Sequence, residues 1–108
     1  MTDWLARGYR LMQPGVYHRV ASYGESLMLC EVALEAGAVV PSHTHAHEQI
    51  SYVVSGQVVF TIGDDTITLS AGTSCVMLPD APHSVVCNQD ALVLDVFTPL
   101  RDDFLGRE

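Results

Sequence analysis

Short runs of β-forming residues, each ended by a cluster of turn-forming residues, follow one another through most of the chain. Typical turn clusters are Gly-Asp-Asp at residues 63–65 and Pro-Asp-Ala-Pro at residues 79–82. Many short strands at near-even spacing predict an all-β protein, built as a sandwich or a barrel. The predicted strands are residues 16–22, 27–34, 49–54, 57–62, 66–69, 73–78, 84–87 and 92–97. Helical periodicity is weak, and only residues 2–7, with Thr2 as a cap, and residues 100–105 predict a short helix or turn.

The size and composition of the chain favour one folded domain. With 108 residues the chain can bury one core, and two separate units would each have too little interior. Hydrophobic residues make up 48% and charged residues 17%, which argues against intrinsic disorder. We therefore predict a single domain over residues 1–108, with a core at about residues 15–97, a short N-terminal extension and a C-terminal tail.

The distribution of apolar residues bears on location. The longest apolar runs, such as residues 32–34 and 92–94, fall far short of the roughly 20 residues that a membrane-spanning helix needs. The first residues show no basic region followed by an apolar stretch, as a secretory signal would. We expect a cytoplasmic protein with no membrane partner.

The charge balance excludes several classes of function. Thirteen acidic residues against five arginines, with no lysine, give a net charge of -8, which repels phosphate backbones and anionic lipids. We therefore expect no nucleic-acid partner. The missing lysine also excludes Schiff-base chemistry through a side-chain amine.

The three cysteines, Cys30, Cys75 and Cys87, are odd in number, widely spaced and set among apolar residues. This pattern suits small buried side chains in a reducing compartment better than a disulfide framework. We predict three free thiols.

Histidines dominate the segment from residue 43 to residue 49. Side chains alternate faces in extended chain, so His43, His45, His47 and Gln49 would share one face of a regular strand. Imidazole nitrogen is a common ligand of divalent metals, and a His-x-His pair on one strand can chelate one ion. His83, which starts a later predicted strand, could join the pair on an antiparallel neighbour. A solvated histidine cluster is the alternative, and His47 could either contact the ligands or substrate or be an ordinary surface residue.

One carboxylate, Asp95, lies in the otherwise apolar run at residues 92–97. It shares a strand face with Val93 and Phe97, where an unpaired charge would cost several kcal/mol, so it must be neutralised, paired or opened to a wet cavity. Arg101 follows closely enough to turn back toward the barrel mouth. An ion pair between Asp95 and Arg101 that ties down the C-terminus is one interpretation, and a functional site is the other.

The histidine segment resembles the first motif of the cupins, a family of small β-barrel (jelly-roll) proteins. In that motif a glycine is followed by five residues, His-x-His, three or four residues, a glutamate, six residues and a glycine. Gly37, His43, His45, Gln49 and Gly56 keep every spacing, with glutamine in place of the glutamate.

The second cupin motif is matched less closely. Gly72 and His83 keep the family's separation, but the proline has moved to Pro79, Ala81 stands near the expected glycine, and Cys87 takes the final asparagine position. The resemblance implies a cupin β-barrel in which His43, His45, Gln49 and His83 bind one divalent metal. It leaves Zn, Ni, Mn and Fe open.

The histidine segment together with residues 95–105 is similar to the small cupins of the pectin-degradation protein type, the KdgF family. That family needs an Asp, a Phe two residues on and an Arg four residues beyond, positions that Asp95, Phe97 and Arg101 match. It converts 4,5-unsaturated monouronates from pectin or alginate into the open-chain keto form. The resemblance implies such an isomerase, acting on a small anionic sugar acid.

Roles for these residues follow as hypotheses. Arg101 could hold the substrate carboxylate, Asp95 could move the proton, and Phe97 could orient the ring. A metal-dependent cupin dioxygenase and a non-catalytic sugar-binding or sensing cupin are the alternatives. We also expect a homodimer, because a partner can cover the exposed edge strands of a small open sheet.

Overall fold

The computed structural model describes residues 2–107. They form eight β-strands and two short 3₁₀ helices, joined by turns and loops. The strands are β1 (Arg10–Gln13), β2 (Val16–Tyr23), β3 (Met28–Leu34), β4 (Val39–His43), β5 (Glu48–Ile62), β6 (Asp65–Ser70), β7 (Ser74–Met77) and β8 (His83–Thr98). The 3₁₀ helices are Leu5–Arg7 and Asp102–Leu105. The all-β prediction is confirmed.

The strands form one antiparallel sheet, in the order β1-β2-β3-β8-β5-β6, that is folded over into a barrel. The long strands β5 and β8 pair with each other from Glu48 opposite Thr98 to Ile62 opposite His83. Strand β5 pairs with β7 along its first half and with β6 along its second half. Strand β8 pairs with β4 near its start and with β3 at its end. Each long strand thus belongs to both layers of the barrel, and the interior of the barrel lies between the two layers.

The bend in β5 lies at Gly56, which explains why sequence patterning divided this strand into residues 49–54 and 57–62. The backbone of Gly56 has a φ of +85°, and a Cβ there would lie 2.7 Å from the Cα of Ala91. The pairing register with β8 shifts on both sides of this position. Only glycine fits such a bulge, where the strand turns from one layer to the other. Strand β8 likewise joins two predicted strands, residues 84–87 and 92–97.

Two strands lie outside the predicted set. Strand β1 pairs with β2, so the N-terminal extension adds an edge strand to the sheet. Strand β4 pairs with the start of β8. The predicted cap also differs: Asp3, not Thr2, accepts a hydrogen bond from the backbone nitrogen of Ala6. The first helix is only a single 3₁₀ turn.

Apolar side chains at alternating strand positions fill the barrel. The main buried cluster consists of Val16, Val32, Leu34, Ala38, Val53, Val58, Phe60, Leu69, Met77, Cys87, Ala91 and Val93. A smaller cluster, Met28, Cys30 and Phe97, packs against the C-terminal segment. Among residues 2–107, no helix has the length and apolar character needed to cross a membrane.

All three cysteines are free, as predicted. Burial raises the pKa of the Cys30 thiol to about 12 and that of Cys75 to about 11, and it also raises the pKa of Cys87. The cysteines are therefore protonated packing residues and poor nucleophiles.

Candidate functional site

Three histidines converge where β4 ends and β8 begins. His43 and His83 are cross-strand partners, with ring centroids 4.2 Å apart. His45, in the loop after β4, has its ring centroid 4.8 Å from that of His83 and 5.8 Å from that of His43. One nitrogen from each ring lies within 4.8 Å of the others. The three rings form a candidate metal site, and His83 reaches it on an antiparallel neighbour as expected.

Hydrogen bonds fix which nitrogen of each ring is free. Each Nδ1 lies within hydrogen-bond distance of a backbone carbonyl oxygen, which can only accept, so Nδ1 carries the proton and Nε2 keeps its lone pair. The acceptors for His43, His45 and His83 are Pro41, His47 and Ala81, at 2.8, 3.0 and 2.9 Å respectively. Burial lowers the pKa of His45 and of His83, which keeps both rings in the neutral form that binds metals.

Gln49 joins the cluster from the start of β5. Its buried side chain places Oε1 3.0 Å from Nε2 of His45. Both atoms are acceptors when His45 is protonated at Nδ1, so they cannot form a hydrogen bond with each other. A cation between them would bind both lone pairs. The Nε2 of His83 is buried and has no hydrogen-bond partner among the described residues. Three imidazole nitrogens and one amide oxygen suit a divalent ion of the Zn, Ni, Mn or Fe type, so the residues fit the expected metal.

A hydrogen-bond chain connects Gln49 with Asp95. The Nε2 of Gln49 donates to Oγ of Ser51 at 3.0 Å, and Ser51 donates to Oδ1 of Asp95 at 2.6 Å. Burial raises the pKa of Asp95 from its usual 3.8 to about 6, although the hydrogen bonds from Ser51 and Gln49 oppose that rise. Asp95 therefore titrates close to neutrality, where a carboxyl can both give and take a proton.

Arg101 makes its ion pair with Asp103, and not with Asp95. Its Nε and Nη2 donate to the two carboxylate oxygens of Asp103 at 3.0 and 2.9 Å. The guanidinium lies over the rings of Phe97 and Phe104, 5.0 and 4.2 Å from their centroids. Asp103 is only two residues away in the same turn, so it meets the guanidinium at little cost in chain entropy. The interpretation of Asp95 and Arg101 as a C-terminal ion pair is therefore wrong.

The histidine segment is not one regular strand. Strand β4 ends at His43 and β5 begins at Glu48, so residues 44–47 form a loop. His47 leaves the shared face, and its Nε2 lies 3.1 Å from the carbonyl oxygen of Leu100, to which it donates. It stands outside the cluster of three histidines and anchors the segment that carries Arg101.

One cavity of about 290 Å³ joins these groups. Its lining includes His43, Gln49, His83, Asp95, Phe97 and Arg101. Sequence reasoning missed further polar residues that line it, among them Ser51 and His18. Both alternate with inward-facing valines on their strands, and a polar residue at such a position was the available signal.

Comparison with known proteins places the chain in a family. The model of the cupin domain matches residues 30–97. None of the curated proteins matches this sequence.

Solved structures show the same likeness in three dimensions. The structure of KdgF from Halomonas sp. is 33% identical, with a TM-score of 0.85, over 88% of this chain and 90% of that one. An RmlC-like cupin from Shewanella frigidimarina is 29% identical, with a TM-score of 0.85, over 89% and 86% of the two chains. A variant of oxalate decarboxylase from Bacillus subtilis shares the fold alone, at 23% identity and a TM-score of 0.80, over 88% of this chain and 28% of that one. The chain belongs to the cupin family, as a KdgF-like cupin.

Proposed function

We propose that this protein converts 4,5-unsaturated monouronates, from pectin or alginate breakdown, into their linear keto form. The observation that carries the proposal is the cavity of about 290 Å³, whose lining brings His43 and His83 of the three-histidine cluster together with Asp95, Phe97 and Arg101. These residues stand at the positions that the KdgF family needs for this reaction, and the chain resembles the Halomonas KdgF along most of its length.

Arg101 is suited to bind the substrate carboxylate. Asp103 engages Nε and Nη2, which leaves Nη1 to pair with a second carboxylate. The guanidinium also lies 5.0 Å from the ring centroid of Phe97, a cation–π contact that holds it at the cavity. Phe97, which is 2% exposed, gives the sugar ring an apolar wall.

Asp95 is suited to move the proton. Opening of the ring at its hemiacetal carbon releases an enol, which becomes the ketone when the enol oxygen loses a proton and C4 gains one. Ser51 donates to Oδ1 of Asp95, so Oδ2 is the oxygen that takes the proton and returns it to C4. The reaction is an isomerisation, with no net gain or loss of atoms or electrons.

His43, His45, Gln49 and His83 would hold the divalent ion. All four ligands are neutral, so the bound ion would keep its full charge to stabilise negative charge on the substrate oxygens. The hydrogen bonds from Nδ1 to backbone carbonyls hold the imidazole rings in the orientation that this requires.

We also propose a homodimer in the cytoplasm. Strands β1 and β6 end the order of the sheet, and their exposed apolar side chains include Leu11, Met12 and Ile67. A second copy that covers such an edge would satisfy its backbone groups and bury these side chains. Light scattering on the purified protein tests this, and a mass of one chain at micromolar concentration would exclude it.

The test of the reaction uses an unsaturated monouronate released by a lyase. The conjugated double bond absorbs in the ultraviolet, and its loss with the purified, metal-loaded protein is compared with the spontaneous rate. We expect faster loss without oxygen consumption. Oxygen uptake that depends on ferrous iron would support a dioxygenase instead, and binding without turnover would support a sugar-binding module.

A further inference from the structure

A second histidine site lies on β2, apart from the metal cluster. His18 is 5% exposed, and neither of its ring nitrogens has a hydrogen-bond partner among the described residues. Buried polar atoms are nearly always paired in folded proteins, so the two nitrogens of His18 call for partners that the described residues do not supply.

The surroundings of His18 show where that partner enters. His18 lines the same cavity as Asp95 and Arg101, and its ring packs against Phe104 with the centroids 4.3 Å apart. Phe104 also lies under the guanidinium of Arg101. His18 thus borders the part of the cavity where the proposed function places the substrate carboxylate.

We propose that His18 is a substrate-binding residue that recognises hydroxyl groups of the sugar acid. The inference rests on the proposed function and adds a residue that sets the specificity for sugar acids.

The chemistry of the ring selects this class of ligand group. Burial, and then the positive charges of Arg10 and Arg101, lower the pKa of His18 to about 4, so the ring is neutral at physiological pH. A neutral imidazole has one N–H donor and one acceptor nitrogen. A carboxylate can only accept, whereas a sugar hydroxyl both donates and accepts. Hydroxyl groups are therefore the match for His18, and Arg101 is the match for the carboxylate.

The test compares four metal-loaded proteins: the wild type, His18→Phe, His18→Gln and Tyr17→Phe. His18→Phe keeps the aromatic contact with Phe104 and removes both nitrogens, whereas His18→Gln keeps a donor and an acceptor. Tyr17→Phe is the matched control, because Tyr17 lies on the same strand and does not line this cavity. Turnover of the unsaturated monouronate and the melting temperature are measured for all four.

For His18→Phe we expect a KM raised about ten-fold, a kcat within about two-fold of the wild type, and a higher melting temperature, because the unpaired nitrogens are gone. His18→Gln should recover part of the lost affinity. A purely structural histidine predicts the reverse, namely a lower melting temperature and an unchanged KM, and that result overturns the inference. An inactive wild type is a separate outcome, which refutes the proposed function and the inference with it. An active wild type, with an unchanged KM in His18→Phe, refutes the inference alone.

Discussion

The hydroxyl of Ser51 donates a 2.6 Å hydrogen bond to Oδ1 of Asp95, and the two residues are cross-strand partners on β5 and β8. Because Ser51 gives its only proton to the carboxylate, it accepts from Nε2 of Gln49. The amide oxygen of Gln49 then faces His45. A buried carboxylate thus sets the direction of a candidate metal ligand, which makes the metal site and the proton carrier one network.

The first prediction concerns Asp95. Asp95→Asn keeps the size of the side chain and removes the titrating proton, so turnover should fall by about 10²- to 10⁴-fold. Metal content should be unchanged, because Asn can still accept from Ser51. Turnover and elemental analysis on the same preparation check both points, with Asp64→Asn in the exposed β5–β6 turn as the control. A folded, metal-loaded and fully active Asp95→Asn protein would end the catalytic assignment.

The second prediction concerns metal content. Protein purified without an affinity tag should contain close to one divalent ion per chain, and a His43→Ala, His45→Ala double variant should contain none. His47→Ala should keep the metal, because His47 stands outside the cluster. Elemental analysis decides this, and stoichiometric metal in the double variant would rule out the site.

The third prediction concerns Arg101. Arg101→Lys keeps one positive charge but loses the planar guanidinium, which can bind two carboxylates at once. Asp103 and the substrate carboxylate would then compete for one ammonium group. KM should rise about ten-fold or more, with a smaller loss of kcat. Initial rates over a range of substrate concentrations separate the two effects. Unchanged KM would show that the carboxylate binds elsewhere.

The fourth prediction concerns stability against pH. In the fold His18 has a pKa of about 4, against a usual value of 6.5. Burial and the charges of Arg10 and Arg101 lower this pKa, and the charge of Asp103 raises it by a smaller amount. Between these values the unfolded chain binds a proton that the fold does not, so stability falls as the pH drops from 6.5 to about 4. His18→Phe should lack this loss, which is on the order of 3 kcal/mol. Denaturant unfolding at pH 7 and pH 4.5 tests it, and parallel pH profiles for the two proteins would contradict it.

Local patterning predicted the parts of the site that depend on short stretches of chain. Alternation along one strand was enough to place Asp95 on the same face as Val93 and Phe97. Motif spacing was enough to single out His43, His45 and His83. The face of Asp95 depends on the strand period, which a sequence displays directly, whereas the histidines were recognised through the spacing of the cupin motif, because His45 lies in a loop.

Features set by contacts between distant segments could not be read in the same way. The bend of β5 depends on the approach of Gly56 to Ala91, so two predicted strands became one. The partner of Arg101 depends on how the chain turns after β8, which strand patterning does not report. His18 lies far from the motifs in sequence, and only the closed barrel brings it to the cavity.

The most direct test of the proposed reaction is the rate at which the wild type and the His43→Ala, His45→Ala double variant remove the ring double bond of an unsaturated monouronate. Both proteins are used at equal concentration, with the spontaneous rate as the baseline. We expect the wild type to exceed the baseline by orders of magnitude and the double variant to return to it. A wild-type rate equal to the spontaneous rate, or a double variant as fast as the wild type, would contradict it.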